Sequence, residues 1–527
     1  MLKLQIDVRD LGGAWLWSGG TWRRGNSWIE PFAHPGLEAL LITDGTAWCA
    51  TVRERRRGAP VVSARPRTVT SAEYSRRLTD IRGWPGDFVT VEGGGEKVQV
   101  SAGVQGVAPL YLTSSSGQLL GSWDLTDLRG RFAADRFVER EMARLLALRP
   151  RYTHETVFAG VHRLTERAAV TWDGTGLAVQ YPSEAEHATA RDLRDGADVI
   201  AGYEALLDEV LAARPYDPDS MAVELSGGVD SANVAASLTA RAPGRLVTSA
   251  MLLPGPAGRQ QRHRRTEMIS TFGGRRDLVV PADALAPLCP YGRRAQDIPV
   301  SPYDDAYLEA TEALHQVIAE QGGRNVFTGI GGDEMVALTS AEVSHAAVGA
   351  DRPVMPWLGA RTRALAEETD TDIAPASVVN EMTLLACACA APSILRAGMW
   401  PVHPLADPAM IRFGEWLPRT WRADKRLPRE RLARLGLSPE VCRPALAENF
   451  VEVMHGSLVR YGLAYLNQML AGGSVLIDDA FVDPDQLALV RDRVANGRPL
   501  PRDREVFEVI SLDLAIRSLS RRPALIR

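Results

Sequence analysis

Two glycine-rich, acid-bearing segments set the chemistry open to this chain: Ser226-Gly227-Gly228-Val229-Asp230-Ser231 and Thr328-Gly329-Ile330-Gly331-Gly332-Asp333-Glu334. The first follows an apolar run, Met221 to Leu225, that reads as a buried strand, and precedes Ala232 to Ala240, which reads as a helix. A strand, a glycine turn and a helix start present free backbone N–H groups to an anion. Gly227 and Gly228 permit the tight turn and the close approach of a phosphate. Ser226 and Ser231 add hydroxyl donors, and Asp230 adds a carboxylate suited to Mg²⁺. No Lys follows the glycines, so this is not the P-loop of kinases and GTPases. A Ser-Gly-Gly turn alone also serves purely structural ends; the full six-residue run behind a strand is a far narrower signal. The second segment closes another predicted strand, Asn325 to Thr328. If parallel topology brings the two turns together, Asp230 and Asp333 share one Mg²⁺ and neutralise phosphate charge.

The elements that must position these turns alternate. From about residue 194 the pattern reads helix Ala201–Ala213, strand Met221–Leu225, strand Leu246–Leu252, strand Asp277–Val280, helix Tyr303–Gln321 and strand Asn325–Thr328. Alternating β and α elements predict an α/β, doubly wound parallel sheet, which binds ligands beyond the carboxyl ends of its strands. Leu225, Met251 and Gly329 fall at those ends; they either line a ligand or simply pack the core. Residues 1–188 differ: short alternating runs, Gly and Trp predict an α+β antiparallel sheet, with a hairpin at Gly93-Gly94-Gly95 and a helix over Asp135–Leu148. The boundaries are therefore 1–188 and 194–527.

Bulk properties exclude several classes. A chain of 527 residues exceeds one comfortable core. The net charge of -5 gives no basic footprint for nucleic acid. No apolar run approaches a bilayer span, and the amino-terminal segment reads as an amphipathic strand without a signal peptide's apolar stretch. The five Cys are badly spaced for a disulfide framework, and Cys387 and Cys389 read as small core residues, so a cytoplasmic setting is expected. Lys occurs only at Lys3, Lys97 and Lys425.

The first turn resembles the pyrophosphate-binding loop of the ATP pyrophosphatases, and the two turns together resemble the synthetase domain of the asparagine synthetase family. Gly86-Asp87-Phe88, Ala108-Pro109-Leu110-Tyr111, Gly121-Ser122-Trp123-Asp124-Leu125 and Phe158 to Leu164 fall in the order of that family's glutaminase domain. The resemblance implies ATP on Ser226, Gly227, Gly228, Val229, Asp230 and Ser231, adenosine near Leu225, Met251 and Gly329, and Mg²⁺ on Asp230 and Asp333. It also implies release of AMP and pyrophosphate as a carboxylate is activated.

Two departures shape the reading. A glutaminase of this family needs Cys directly after the initiator Met, where this chain has Leu2, so the first domain is expected to be a remnant without a nucleophile. Ile330 stands where asparagine synthetases resemble one another in having Glu and β-lactam synthetases in having Tyr; the Arg-x-Lys pattern of both is also not evident in Val441 to Phe450. Glutaminase-less members include the lasso peptide cyclases, which Ala391 to Leu395, Gly398 to Leu405 and Glu448-Asn449-Phe450 resemble. That likeness implies a precursor peptide as substrate, closed into a macrolactam between an Asp or Glu side chain and its own N-terminal amine. It also implies a leader-binding protein and a leader peptidase as partners. Lys425 is a candidate for offsetting phosphate charge, with a solvated surface lysine as the alternative; Glu381 is a candidate base, or a solvated helix residue. The rival readings are a β-lactam synthetase-like or ammonia-dependent asparagine synthetase-like ligase, and a nucleotide-binding scaffold without catalysis.

Overall fold

Alternating side chains in the first half build two seven-stranded sheets whose inner faces share one core. In the first, Leu2–Asp7 lies between Gln118–Ser122 and Ser27–Pro31, both antiparallel to it. In the second, Ala47–Glu54, Phe88–Gly94 and Lys97–Ala102 run as an antiparallel meander. The predicted glycine hairpin is present, with Gly94 opposite Lys97 and Gly95 at φ +64°. Leu4, Ile6, Trp22 and Leu112 from one sheet meet Trp48, Val91, Val100 and Trp172 from the other. These observations come from a computed structural model that describes residues 1–338, 354–446 and 448–520.

Residues 181–198 hold no helix or strand, and after them the second half begins with the Val199–Ala213 helix. Its five-stranded sheet is wholly parallel, in the order Arg276–Pro281, Val247–Leu252, Met221–Glu224, Asn325–Phe327, Trp400–Val402. Chain order therefore runs outward in both directions from the Met221 strand, and the switch point lies between it and the Asn325 strand. In an open α/β sheet that is where a crevice opens beyond the carboxyl ends. The α/β expectation holds.

Three details differ from the sequence reading. The Tyr303–Gln321 helix starts at Leu308; Asp304 and Asp305 accept from Ser301 N at 2.8 Å and Tyr307 N at 3.0 Å, and these local bonds hold a turn instead. The Asp135–Leu148 helix shortens to Glu139–Leu146, because Phe137 is extended in a bridge with Phe158 and Leu148 has φ +55°. The Trp400–Val402 strand was not expected because Pro401 sits inside it. It lies at the sheet edge, where a missing N–H is tolerated.

The halves meet across a buried ionic joint. Glu54, at the end of a first-half strand, accepts from Arg214 Nε at 3.2 Å and from Trp400 Nε1 at 3.1 Å. Arg214 also donates to Gln105 Oε1 at 2.7 Å. Glu54 is 3% exposed, so Arg214→Ala strands a buried charge. We expect it to lower stability by about 3–5 kcal/mol, read by chemical denaturation.

Candidate active site

Met221–Glu224 ends the central strand, and the chain turns through Ser226 to Gly228 into the Val229–Arg241 helix. Gly227 takes φ +102°, which a side chain would oppose. The Ser226 and Ser231 hydroxyls lie 3.3 Å apart, and Ser226 Oγ accepts from Gly228 N at 3.2 Å, closing the turn on itself. Gly228 caps the helix without a side-chain bond, leaving the first-turn N–H groups pointing out of the turn. Leu225 is fully buried and Met251 half-buried at the neighbouring strand ends.

The second turn seats directly on the first. Gly331 takes φ +93°, and a Cβ on Gly332 would fall 2.5 Å from Asp230 Cγ. A Cβ on Gly329 would fall 2.7 Å from Ser231 N. Only glycines allow this approach. It brings Asp230 and Asp333 within reach of one cation, and Lys425 marks the place: its Nζ is 2.6 Å from Asp230 Oδ2 and 2.6 Å from Asp333 Oδ1.

Backbone geometry delivers that lysine. Asp424 and Lys425 are consecutive non-glycine residues at φ +54° and +50°, a conformation that costs about 1–3 kcal/mol each and persists only where surroundings enforce it. Asp424 is held by Arg429 Nη1 at 2.5 Å and Arg443 Nη1 at 2.6 Å. Burial opposes the charge on Lys425, but Asp230 and Asp333 outweigh it and raise its pKa. Burial pushes the Asp230 carboxyl up, and the Lys425 ammonium offsets part of that rise.

Mg²⁺ fits this donor set as an ion shared with substrate. Two carboxylates converge on one cation position, and among the described residues no group of three His, Cys, Asp or Glu completes a site. Magnesium commonly takes one or two carboxylates and fills its shell from phosphates and water.

Several supports had no sequence signal. Gln261 Nε2 donates to Ser226 O at 2.9 Å and to Met251 O at 3.0 Å, while its Oε1 accepts from Leu253 N at 2.9 Å, fastening two strand ends together. Arg264 is fully buried beneath the first turn; its Nε donates to Gly227 O at 3.3 Å and its Nη2 pairs with Glu448. In the Val441–Phe450 stretch, Ala447 lies outside the described residues.

His403, within the Gly398–Leu405 run, supports the second turn. Its Nδ1 lies 2.7 Å from Thr328 Oγ1, which accepts from Ile330 N at 3.2 Å. Burial lowers the His403 pKa from 6.5 to about 4. The folded chain therefore keeps this ring neutral while the unfolded chain takes up a proton below about pH 6.5. Stability should fall as pH drops from about 6.5 to about 4, by up to about 3 kcal/mol from this group. His403→Gln should flatten the slope of stability against pH in that window.

Beside the second turn lies a cavity of 830 Å³ between the halves. Glu334, Met335 and Arg422 line it, together with Asn380, Glu381 and residues 187–190 of the irregular connection. Glu381 is the first residue of the Glu381–Arg396 helix, 3.9 Å from Arg151. The cavity thus unites Glu381 with Glu334, while Lys425 stands at the carboxylate pair. Among the described residues four carboxylates (Glu184, Glu334, Glu381, Glu415) and the guanidinium of Arg422 line it, Glu415 being already paired with Arg412, so the lining is acidic on balance and suits a cationic guest. Leu2 is fully buried in the first half.

Residues 202–385 match the asparagine synthase family model. Over 249 residues the chain is 27% identical to carboxyethyl-arginine beta-lactam-synthase of Streptomyces clavuligerus, covering 47% of this chain and 45% of that relative. The match thus spans less than half the length of that relative. Among the described residues no helix is long and apolar enough to cross a membrane.

Proposed function

We infer, from the asparagine synthase-type segment and the turns it contains, that this chain is an ATP-dependent, AMP-forming amide ligase. We infer further that it closes a macrolactam within a peptide, as lasso peptide cyclases do. The observation that carries the reading is the meeting of two glycine turns at the sheet's switch point, with Lys425 between their carboxylates and an acid-lined cavity alongside.

In this reading the triphosphate lies along Ser226 to Ser231, with the adenosine toward Leu225, Met251 and Gly329. Asp230 and Asp333 would hold Mg²⁺, which would neutralise charge on the phosphates. An Asp or Glu side chain of the peptide attacks the α-phosphorus, and pyrophosphate leaves against the turn's N–H groups and the helix dipole. Lys425 offsets charge on the leaving group. The peptide's N-terminal amine, drawn in by the cavity's carboxylates, then attacks the acyl adenylate and AMP departs. Ile330 has no group to take the proton; Glu381 lines the same cavity and is the candidate base. Holding amine and carbonyl together lowers the barrier by positioning, and excluding water would protect the adenylate from hydrolysis. A leader-binding protein and a leader peptidase would present the trimmed peptide.

The Streptomyces clavuligerus relative favours a second reading, amide closure within a small amino acid, and an 830 Å³ cavity also suits such a guest. Mass spectrometry of Mg·ATP reactions separates them. We expect AMP, pyrophosphate and a core peptide lighter by one water. Dehydration of a small β-amino acid instead would favour the second reading. No AMP with any carboxylate would leave a nucleotide-binding scaffold.

A further inference from the structure

We propose that the two turns carry an ionic plug of their own, Lys425 in the place of the divalent cation and Glu448 in the place of a phosphate, and that Mg·ATP binds by displacing both. The proposal rests on reading the turns as an Mg·ATP site.

Lys425 Nζ lies 2.6 Å from Asp230 Oδ2 and 2.6 Å from Asp333 Oδ1, between the two carboxylates that would hold a divalent cation. Ammonium and metal therefore exclude one another. Glu448 rests on the first turn, so close that a Cβ on Gly227 would meet its Oε1 at 2.8 Å. It pairs with Arg264, a fully buried guanidinium that also holds Gly227 O. Arg264 donates to Glu448 through Nη2, and the same N–H would serve a phosphate oxygen equally well, so an arriving phosphate competes with Glu448 for Arg264.

The two halves of the plug lie near one another in the chain. Arg443, five residues before Glu448, bonds Asp424, the residue next to Lys425. Asp424 and Lys425 both sit in the left-handed region, which leaves the segment strained and able to relax once Lys425 lets go. Displacement hands Asp230 and Asp333 to the metal, and frees Arg264 and Lys425 to face the phosphates. Arg264 thereby becomes a phosphate-binding residue.

The test measures binding, without peptide turnover. Mn²⁺ is titrated by electron paramagnetic resonance against the full chain in the absence of nucleotide. Inorganic pyrophosphate with Mg²⁺ is titrated by calorimetry. Lys425→Met should bind Mn²⁺ at least tenfold more tightly than the wild type, and Glu448→Gln should bind pyrophosphate about tenfold more tightly. Arg264→Gln combined with Glu448→Gln should lose that gain. Equal Mn²⁺ affinity in wild type and Lys425→Met, or unchanged or weaker pyrophosphate binding by Glu448→Gln, overturns the plug. Thermal unfolding checks that each variant folds, and either single variant decides the matter if the other does not. Mg·ATP binding that Asp230→Ala removes, with no change in these two variants, refutes the plug alone. Failure of the wild type to bind Mg·ATP refutes the site reading with it.

Discussion

Asp230→Ala is expected to lower AMP and pyrophosphate release at least a hundredfold while the fold survives. Its carboxylate stands in the first turn of the Val229–Arg241 helix and touches Lys425 at 2.6 Å. Removing it takes away one of the two anions that gather cationic charge at the phosphates. Charge stabilisation of this kind is worth several kcal/mol, which is two or more decades in rate. Lys425 retains Asp333 as a partner, so little stability is at stake. The measurement is AMP formation per minute by mass spectrometry, with circular dichroism as the control for folding. Release within tenfold of wild type would place the nucleotide elsewhere.

Gly332→Ala should be nearly as damaging by a different route. The new methyl group would fall 2.5 Å from Asp230 Cγ, so one turn must retreat from the other. Overpacking of this sort costs about 1–3 kcal/mol. A shift of about 1 Å in a positioning group costs on the order of a hundredfold in rate. Gly398→Ala is the matched control: that glycine is at φ +76° with nothing within 4 Å of an added Cβ. Both variants should unfold earlier than wild type, but only Gly332→Ala should lose AMP formation. If both lose it equally, the effect is general instability and the close seating of the turns does not matter to the chemistry.

What was legible in the sequence was what lies close together along the chain. Ser226 to Ser231 announces itself because strand, turn and helix start are adjacent, and the alternation of elements around it gives the parallel sheet. Gly329 and Gly332 were visible, but their reason was not: they clear space for Ser231 and Asp230, about a hundred residues earlier in the chain. Lys425 stood out only by rarity. Its place between two carboxylates depends on a left-handed backbone at Asp424 and Lys425, and that depends on Arg429 and Arg443. Gln261 and Arg264 sit in a helix with no motif, because a residue that braces a turn from a neighbouring helix needs only reach and a polar end; Glu448 belonged to a run that stood out, but its bond to Arg264 did not. Trp400–Val402 was hidden by its proline, since edge position is a property of the sheet and not of three residues.

The mutual seating of the two turns has a consequence for assembly. Neither turn has its shape without the other: Gly332 is moulded on Asp230, and Gly329 on Ser231. The anion-binding turn is thus not a local module that forms when its own strand and helix form. It should become competent only when the Asn325–Phe327 strand docks beside Met221–Glu224, a pairing between distant parts of the chain that is slow to form. A nascent or clipped chain ending before residue 325 would carry the whole Ser226–Ser231 motif and still hold no nucleotide, so the ability to bind ATP would report completion of the sheet.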